Sequence, residues 1–249
     1  MHGYDCYDYG ARHSYTALGR FTTIDPLAEK FYDTSPYALC HGNPVMRIDL
    51  DGMDDYGLAS DGTITLIKQT EDERDRLIAG YNSNAKNQGL KYNKKTGELK
   101  NKSIEVDKGV LDSKSSGNLG DSYTLSRVEG YDDTSLFEFC ADNSDVEWTQ
   151  YQVGDGERTR TFLTTSHEKY TDNKSSIMLN NVNNNSSFVL NYHYHSHPYD
   201  PEATESYNRA PSTKDVMFKN QKQERAFANP NAVYKTYLRR GNGPYFETY

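Results

Sequence analysis

Along residues 188–197 apolar and polar side chains alternate, with Leu190, Tyr192 and Tyr194 on one parity and His193, His195 and His197 on the other. In a strand, side chains i and i+2 share a face. The pattern predicts a strand over Phe188–His195, its tyrosines and Leu190 toward a core and the imidazoles on the opposite face. Pro198 has no backbone N–H to give a ladder and ends the run. Shorter patterns predict strands at Gly62–Ile67, Ser103–Val106, Phe137–Phe139, Glu147–Val153 and Thr159–Thr164. Tyr234–Arg239 and Pro244–Tyr249 flank Gly241-Asn242-Gly243, a hairpin signal. Helix signals are fewer. Thr70-x-x-Glu73 reads as a capping box before a short helix through Ile78, and Ser212 as the N-cap of a helix over Lys214–Phe227.

Residues 4–53 follow another rhythm, with turn pairs at Tyr9-Gly10, Leu18-Gly19, Asn43-Pro44 and Asp51-Gly52. They predict short strands between tight turns, which need further repeats to bury their faces. Residues 81–122 are dense in Asn, Lys, Ser and Gly and read as a solvated linker or edge hairpin. Residues 180–187 form a second polar tract. These shifts divide the chain into 1–53, an accessory segment 54–122 and a compact α+β domain 123–249.

Composition narrows the function classes. Leu, Ile, Val and Phe together supply less than a fifth of the 249 residues, so much of the core must come from the 21 tyrosines. A net charge of −8 and a pI near 5.4, with no long basic run, disfavour a nucleic-acid partner. Cys6, Cys40 and Cys140 are odd in number and contain no C-x-x-C pair, which argues against a disulfide framework or a thiolate zinc site; Cys140 is expected as a buried free thiol. No apolar run is long enough for a membrane span, and Met1-His2-Gly3-Tyr4-Asp5 lacks the start of a signal peptide.

The candidate chemistry lies in the histidine strand and the helix start after it. Neutral imidazoles two apart on one face are ready zinc ligands. Asp215, three after the N-cap Ser212, falls in the first helical turn, where the dipole favours a charged carboxylate. Such a carboxylate can complete a His, His, Asp set with the fourth tetrahedral position left to water. Each half alone is common, since many helices begin Ser-x-x-Asp; the two together in this order are specific.

His195-Ser196-His197-Pro198 followed by Ser212-x-x-Asp215 resembles the signature of the JAMM (JAB, MPN) metalloproteases. The resemblance implies a cytidine-deaminase-like sheet with helices and a zinc-dependent isopeptidase acting on ubiquitin-like conjugates or peptide bonds. It implies Zn2+ held by His195, His197 and Asp215, with Ser212 donating to the oxyanion. The spacer, residues 199–211, is longer than the family's and must loop out. The family's upstream Glu, which relays protons, is best matched by Glu147, with Gly154 seven positions on; Gln150 stands where the family has another Gly. Glu138 is the competitor. His193 is expected beside the ligands or as their replacement if the register slips by two, and His167 and Glu168 on a surface turn.

The first fifty residues resemble the RHS repeat-associated core in Tyr9-Gly10-Ala11-Arg12, Leu18-Gly19-Arg20-Phe21, Asp25-Pro26-Leu27, Asn43-Pro44-Val45 and Ile48-Asp49-x-Asp51-Gly52. That family implies a long β-cage followed by a toxin domain, here with only a remnant of the cage. Self-cleavage after the last element would fall after Met53, although Leu50 and Met53 replace the family's Pro and Leu. Together the resemblances imply a toxin made in the producer's cytoplasm and delivered without its own signal peptide. Its partners would be a protein substrate in the target cell, a cognate immunity protein and the parent RHS cage. A metal-dependent nuclease and a catalytically inactive JAMM-like binding module are the alternatives.

Overall fold

The computed structural model describes residues 6–8, 13–15, 18, 20–24, 35, 37, 54–69, 74–96, 98–126, 133–155, 158–185, 187–200, 202, 211–224, 228–238 and 245–249. The chain forms two compact units, Met1–Met53 and Asp54–Tyr249. In the first, β1 (Cys6–Asp8), β2 (His13–Tyr15) and β3 (Arg20–Phe21) make an antiparallel sheet. Most of the RHS-like elements, the junction after Met53, the Thr70–Glu73 capping box, most of the 199–211 spacer and the Gly241-Asn242-Gly243 turn lie outside the described residues.

Among the described residues the second unit holds two sheets. β4 (Asp54–Leu58), β5 (Ile64–Lys68), β6 (Arg74–Ala79) and β7 (Ser103–Asp107) pair in the order β5-β4-β6-β7. The expected helix through Ile78 is therefore a strand. Leu77 and Ile78 are buried between parallel β4 and antiparallel β7, and Arg76 Nε meets Asp55 Oδ1 at 2.8 Å. Pairing on both sides overrides the local capping signal.

The larger sheet contains β8 (Ser115–Gly117), β9 (Gly120–Ser126), β10 (Trp148–Gly154), β11 (Thr159–Thr165), β12 (Val189–His197), β13 (Ala228–Leu238) and β14 (Tyr245–Thr248). Their order is β14-β13-β12-β10-β11-β9-β8. Segment 54–122 thus shares its compact unit, and two strands of this sheet, with the residues that follow. Central β12 pairs antiparallel with β10 and parallel with β13. A parallel neighbour requires a crossover, and α3 (Thr213–Glu224) supplies it.

Two further helices differ from the sequence expectation. Phe137–Phe139 belongs to α1 (Ser135–Asp142), in which Leu136, Phe137, Cys140 and Ala141 form one buried stripe of helical spacing. The polar tract from Asn180 falls largely in α2 (Asn173–Asn185). Its start is fixed by the Asp172 carboxylate, which accepts from the N–H groups of Lys174 (3.1 Å) and Ser175 (3.4 Å).

Each face of the sheet has its own core. One packs Trp148, Leu163, Tyr192, Tyr194 and Tyr237 against α1 and the four-stranded sheet. The other packs Tyr151, Val153, Leu190 and Tyr234 against α2 and α3. Leu190 thus lies on the histidine face, contrary to the alternation. The register slips between Leu190 and Tyr192, leaving Asn191 as a bulge that turns the strand over. Each fully buried aromatic contributes about 1.5–3 kcal/mol of burial, so tyrosine supplies what the scarce aliphatics do not. Cys140 is buried and free, as expected.

Candidate metal centre

Register on β12 builds the site. Thr149 on β10 and Thr236 on β13 flank His195 across the ladder. One residue further, the ladder is closed by a side chain: the Trp148 N–H donates to the Ser196 hydroxyl at 2.9 Å. That contact fixes Glu147 at the lip of β10. The Glu147 N–H donates to the Glu168 carbonyl (2.8 Å), and its carbonyl accepts from the Thr165 hydroxyl (2.9 Å). Strand alternation from Thr149 then turns the Glu147 side chain toward His195 and His197.

Asp215 arrives from the first turn of α3. Its carboxylate accepts the Ser212 N–H at 2.5 Å, while the Ser212 hydroxyl accepts the Asp215 N–H at 3.3 Å. This reciprocal cap is a consequence of Ser-x-x-Asp spacing, and it locks the carboxylate over the sheet. His195 Nε2 and His197 Nε2 lie 3.2 Å apart, and Asp215 Oδ2 lies 3.3 Å from the first and 3.5 Å from the second. Glu147, His195 and His197 are all buried, each with a donor atom within 4.8 Å of the others', close enough to hold a metal ion.

Burial pushes the Asp215 carboxyl up, but the adjoining His195 and His197 imidazoles outweigh it and hold the group well below its ordinary value. Burial lowers His195, with Asp215 opposing. Burial and the His195 charge bring His193 down to about 3. The His195 shift favours a neutral imidazole and the Asp215 shift an ionised carboxylate, the protonation states in which such groups ligate a metal. Glu147 behaves differently: burial, then the charges of Asp172 and Asp215, raise it well above the carboxylate range.

The donor set also fits by distance. An ion bound tetrahedrally at about 2.0–2.1 Å spaces its ligands about 3.3 Å apart, and the three edges here are 3.2, 3.3 and 3.5 Å.

Residues 129–220 match the model of the JAB-like toxin 1 family. No curated protein and no solved structure matches the chain. The match supports a JAB-like toxin domain, with which the mixed architecture of sheets and, among the described residues, three α-helices is compatible. Glu147, His195, His197, Ser212 and Asp215 all fall inside the JAB-like segment; β13 and β14 lie beyond it.

Other candidates separate from this cluster. Glu138 sits on α1, which packs on the opposite face of the sheet, and its carboxylate takes the Thr134 hydroxyl. His193 is buried against Phe218, their ring centroids 4.7 Å apart. Glu168 is exposed, as expected, and His167, in a bend, is half-buried. Its Nε2 lies 3.1 Å from Asp121 Oδ2, and its Nδ1 lies 2.8 Å from the Asp61 carbonyl. Four residues with structural parts were not singled out from sequence: Ser196, Asp172, Thr236 and Tyr249. Of these, Ser196 alone carried a signal, as the residue between the two imidazoles.

Proposed function

We propose that this chain carries the toxin domain of an RHS-type polymorphic toxin, with residues 1–53 belonging to an RHS-like core and the JAB-like domain a zinc-dependent JAMM-type peptidase or isopeptidase. The observation that carries the reading is the meeting of His195, His197 and Asp215 at tetrahedral spacing with a buried carboxyl, Glu147, beside them. These three residues would hold Zn2+, which when bound supplies Lewis-acid chemistry, polarising the scissile carbonyl and making a water acidic near neutrality. Glu147 takes the proton of the attacking water on its carboxylate and delivers it to the leaving amine nitrogen as the C–N bond breaks. Its raised affinity for a proton suits a shuttle. Ser212, whose oxygen already accepts from Asp215 N–H, retains its own proton to donate to the tetrahedral oxyanion. Loss of one such donor costs about 3 kcal/mol of transition-state stabilisation.

The substrate is a protein or ubiquitin-like conjugate in a target cell, and a cognate immunity protein protects the producer. Among the described residues no helix is long and apolar enough to cross a membrane. The test is cleavage of isopeptide-linked and linear peptide substrates by wild type, Glu147→Gln and His195→Ala. The proposal expects cleavage by wild type alone. Cutting of DNA or RNA without proteolysis would instead make the chain a nuclease, and zinc binding without any hydrolysis would make it a binding module.

A further inference from the structure

The two nitrogens of His195 have different surroundings. Nε2 faces His197 Nε2, Asp215 Oδ2 and the Thr236 hydroxyl at 3.2, 3.3 and 3.4 Å. Nδ1 faces the Tyr249 hydroxyl at 3.4 Å, its one hydrogen-bond partner among the described residues. A neutral imidazole carries a single proton, and its site decides which nitrogen has a lone pair to offer.

Tyr249 is held to this position from several sides. Lys235 pairs with Thr248, so Tyr249 lies opposite Tyr234, and its N–H donates to the Tyr234 carbonyl at 3.2 Å. Lys219 of α3 donates to the Tyr249 carbonyl at 2.6 Å. The phenol ring stands nearly perpendicular to the His195 ring, at 76° and 6.0 Å between centroids. It packs on the same core as Tyr234 and Phe218. A hydroxyl anchored this firmly is an orienting partner for the imidazole, and it lies beyond the segment matched to the family.

We propose that Tyr249 is a positioning residue: its hydroxyl oxygen accepts the Nδ1–H of His195 and so holds the tautomer whose Nε2 lone pair faces His197 and Asp215. The assignment rests on the metal-centre reading. Outer partners of ligating histidines set ring orientation and basicity, and their loss typically weakens metal binding about 10–100-fold.

The experiment uses the full chain in wild-type, Tyr249→Phe and Tyr249→Leu forms. Zn2+ affinity is read by competition with a chromophoric chelator, and the His195 tautomer by long-range proton–nitrogen spectra of 15N-histidine-labelled, metal-free protein. Expected are an Nδ1–H tautomer in wild type, a shift toward Nε2–H in Tyr249→Phe, and Zn2+ affinity lowered about 10–100-fold in that variant. Wild-type affinity in Tyr249→Phe with loss only in Tyr249→Leu would mean packing alone and overturn the assignment. An Nε2–H tautomer in wild type, or an unchanged one in Tyr249→Phe, would overturn it as well. Failure of wild type to bind Zn2+ would sink the metal reading instead, and the tautomer comparison would still decide the role of Tyr249.

Discussion

The backbone N–H of Trp148 is satisfied by the side-chain oxygen of Ser196 rather than by a backbone carbonyl, at 2.9 Å. Both residues are buried. The contact joins β10 to β12 where Glu147 must face His195 and His197, so Ser196 sets the spacing between carboxyl and imidazoles. Its replacement by Ala would leave a buried donor unsatisfied, a cost of about 1–3 kcal/mol. Ser196→Ala is expected to lower the urea midpoint by that equivalent and to reduce activity further than its loss of stability explains. Unchanged activity in the folded variant would remove Ser196 from the site's construction.

On the proposed mechanism, removing Glu147 and removing Asp215 should have separable effects. Glu147→Gln keeps shape and deletes the proton acceptor, so hydrolysis is expected to fall about 10²–10⁴-fold while Zn2+ still binds. Asp215→Ala removes a proposed ligand and half of the reciprocal helix cap. It should lose both metal and activity, and about 1 kcal/mol of stability in the metal-free protein. Elemental analysis after dialysis, beside the cleavage assay, distinguishes the two variants. Equal metal loss in both would recast Glu147 as a ligand.

Chelation gives a third expectation. On the proposed reading a dication binds beside Asp215, whose carboxyl is held below its ordinary value, and the buried Glu147, and stabilises the folded state by binding it selectively. Stripping the protein with a chelator should lower its melting temperature, and Zn2+ should restore it in proportion to its free concentration. An excess of about 100 Kd corresponds to roughly 2.7 kcal/mol. A melting temperature indifferent to chelator and to added Zn2+ would argue against the centre.

How much of this was legible in the chain depended on the range of the forces involved. Alternation is local, so the shared face of His193, His195 and His197 could be read directly, as could the Ser212–Asp215 cap, which spans one helical turn. The meeting of strand and helix followed from the resemblance, not from spacing. Where tertiary pairing decides the outcome, local reading failed. Arg74–Ala79 is a strand because β4 and β7 enclose it, and Phe137–Phe139 is helical because Leu136, Phe137, Cys140 and Ala141 share a stripe. The Asn191 bulge put Leu190 on the histidine face, which no parity rule foresees. Tyr249 meets His195 through the pairing of β13 with β14, invisible until the register is fixed.

Gly120 offers a test of the sheet that carries the site. Its φ is +115°, and an added Cβ would come within 2.1 Å of the Thr165 carbonyl oxygen. Backbone cannot yield as a flexible side chain does, so Gly120→Ala combines steric overlap with strain of about 1–3 kcal/mol. The variant is expected to unfold at a clearly lower urea concentration than wild type. Gly109→Ala is its control, since that glycine also has positive φ (+82°) but nothing within 4 Å of the added carbon. Equal losses in the two variants would show that φ alone, not the approach of β11, is responsible.

The contact of His167 with Asp121 predicts a pH window for stability. Asp121 also lies 2.9 Å from Lys114, and His167 Nδ1 faces the Asp61 carbonyl. The bond to Asp121 raises His167 above its ordinary 6.5, against burial. Burial pushes Asp121 up, but its bonds from His167, Ser116 and Lys114 outweigh this and hold it below 3.8. The histidine's contribution is therefore complete below pH 6.5 and is lost as pH rises through its elevated folded value. The aspartate's is present above pH 3.8 and is lost as pH falls through its depressed one. Their joint contribution should be greatest between these limits. His167 has φ of 60°, a conformation that Asn tolerates, so His167→Asn removes the charge without adding backbone strain. The difference in unfolding free energy between wild type and His167→Asn is expected to reach about 1–3 kcal/mol near pH 5 and to shrink steadily above neutrality. A difference that grows with pH from 6 to 8 would mean that His167 works as a neutral hydrogen-bonding group, and the pairing with Asp121 would lose its ionic character.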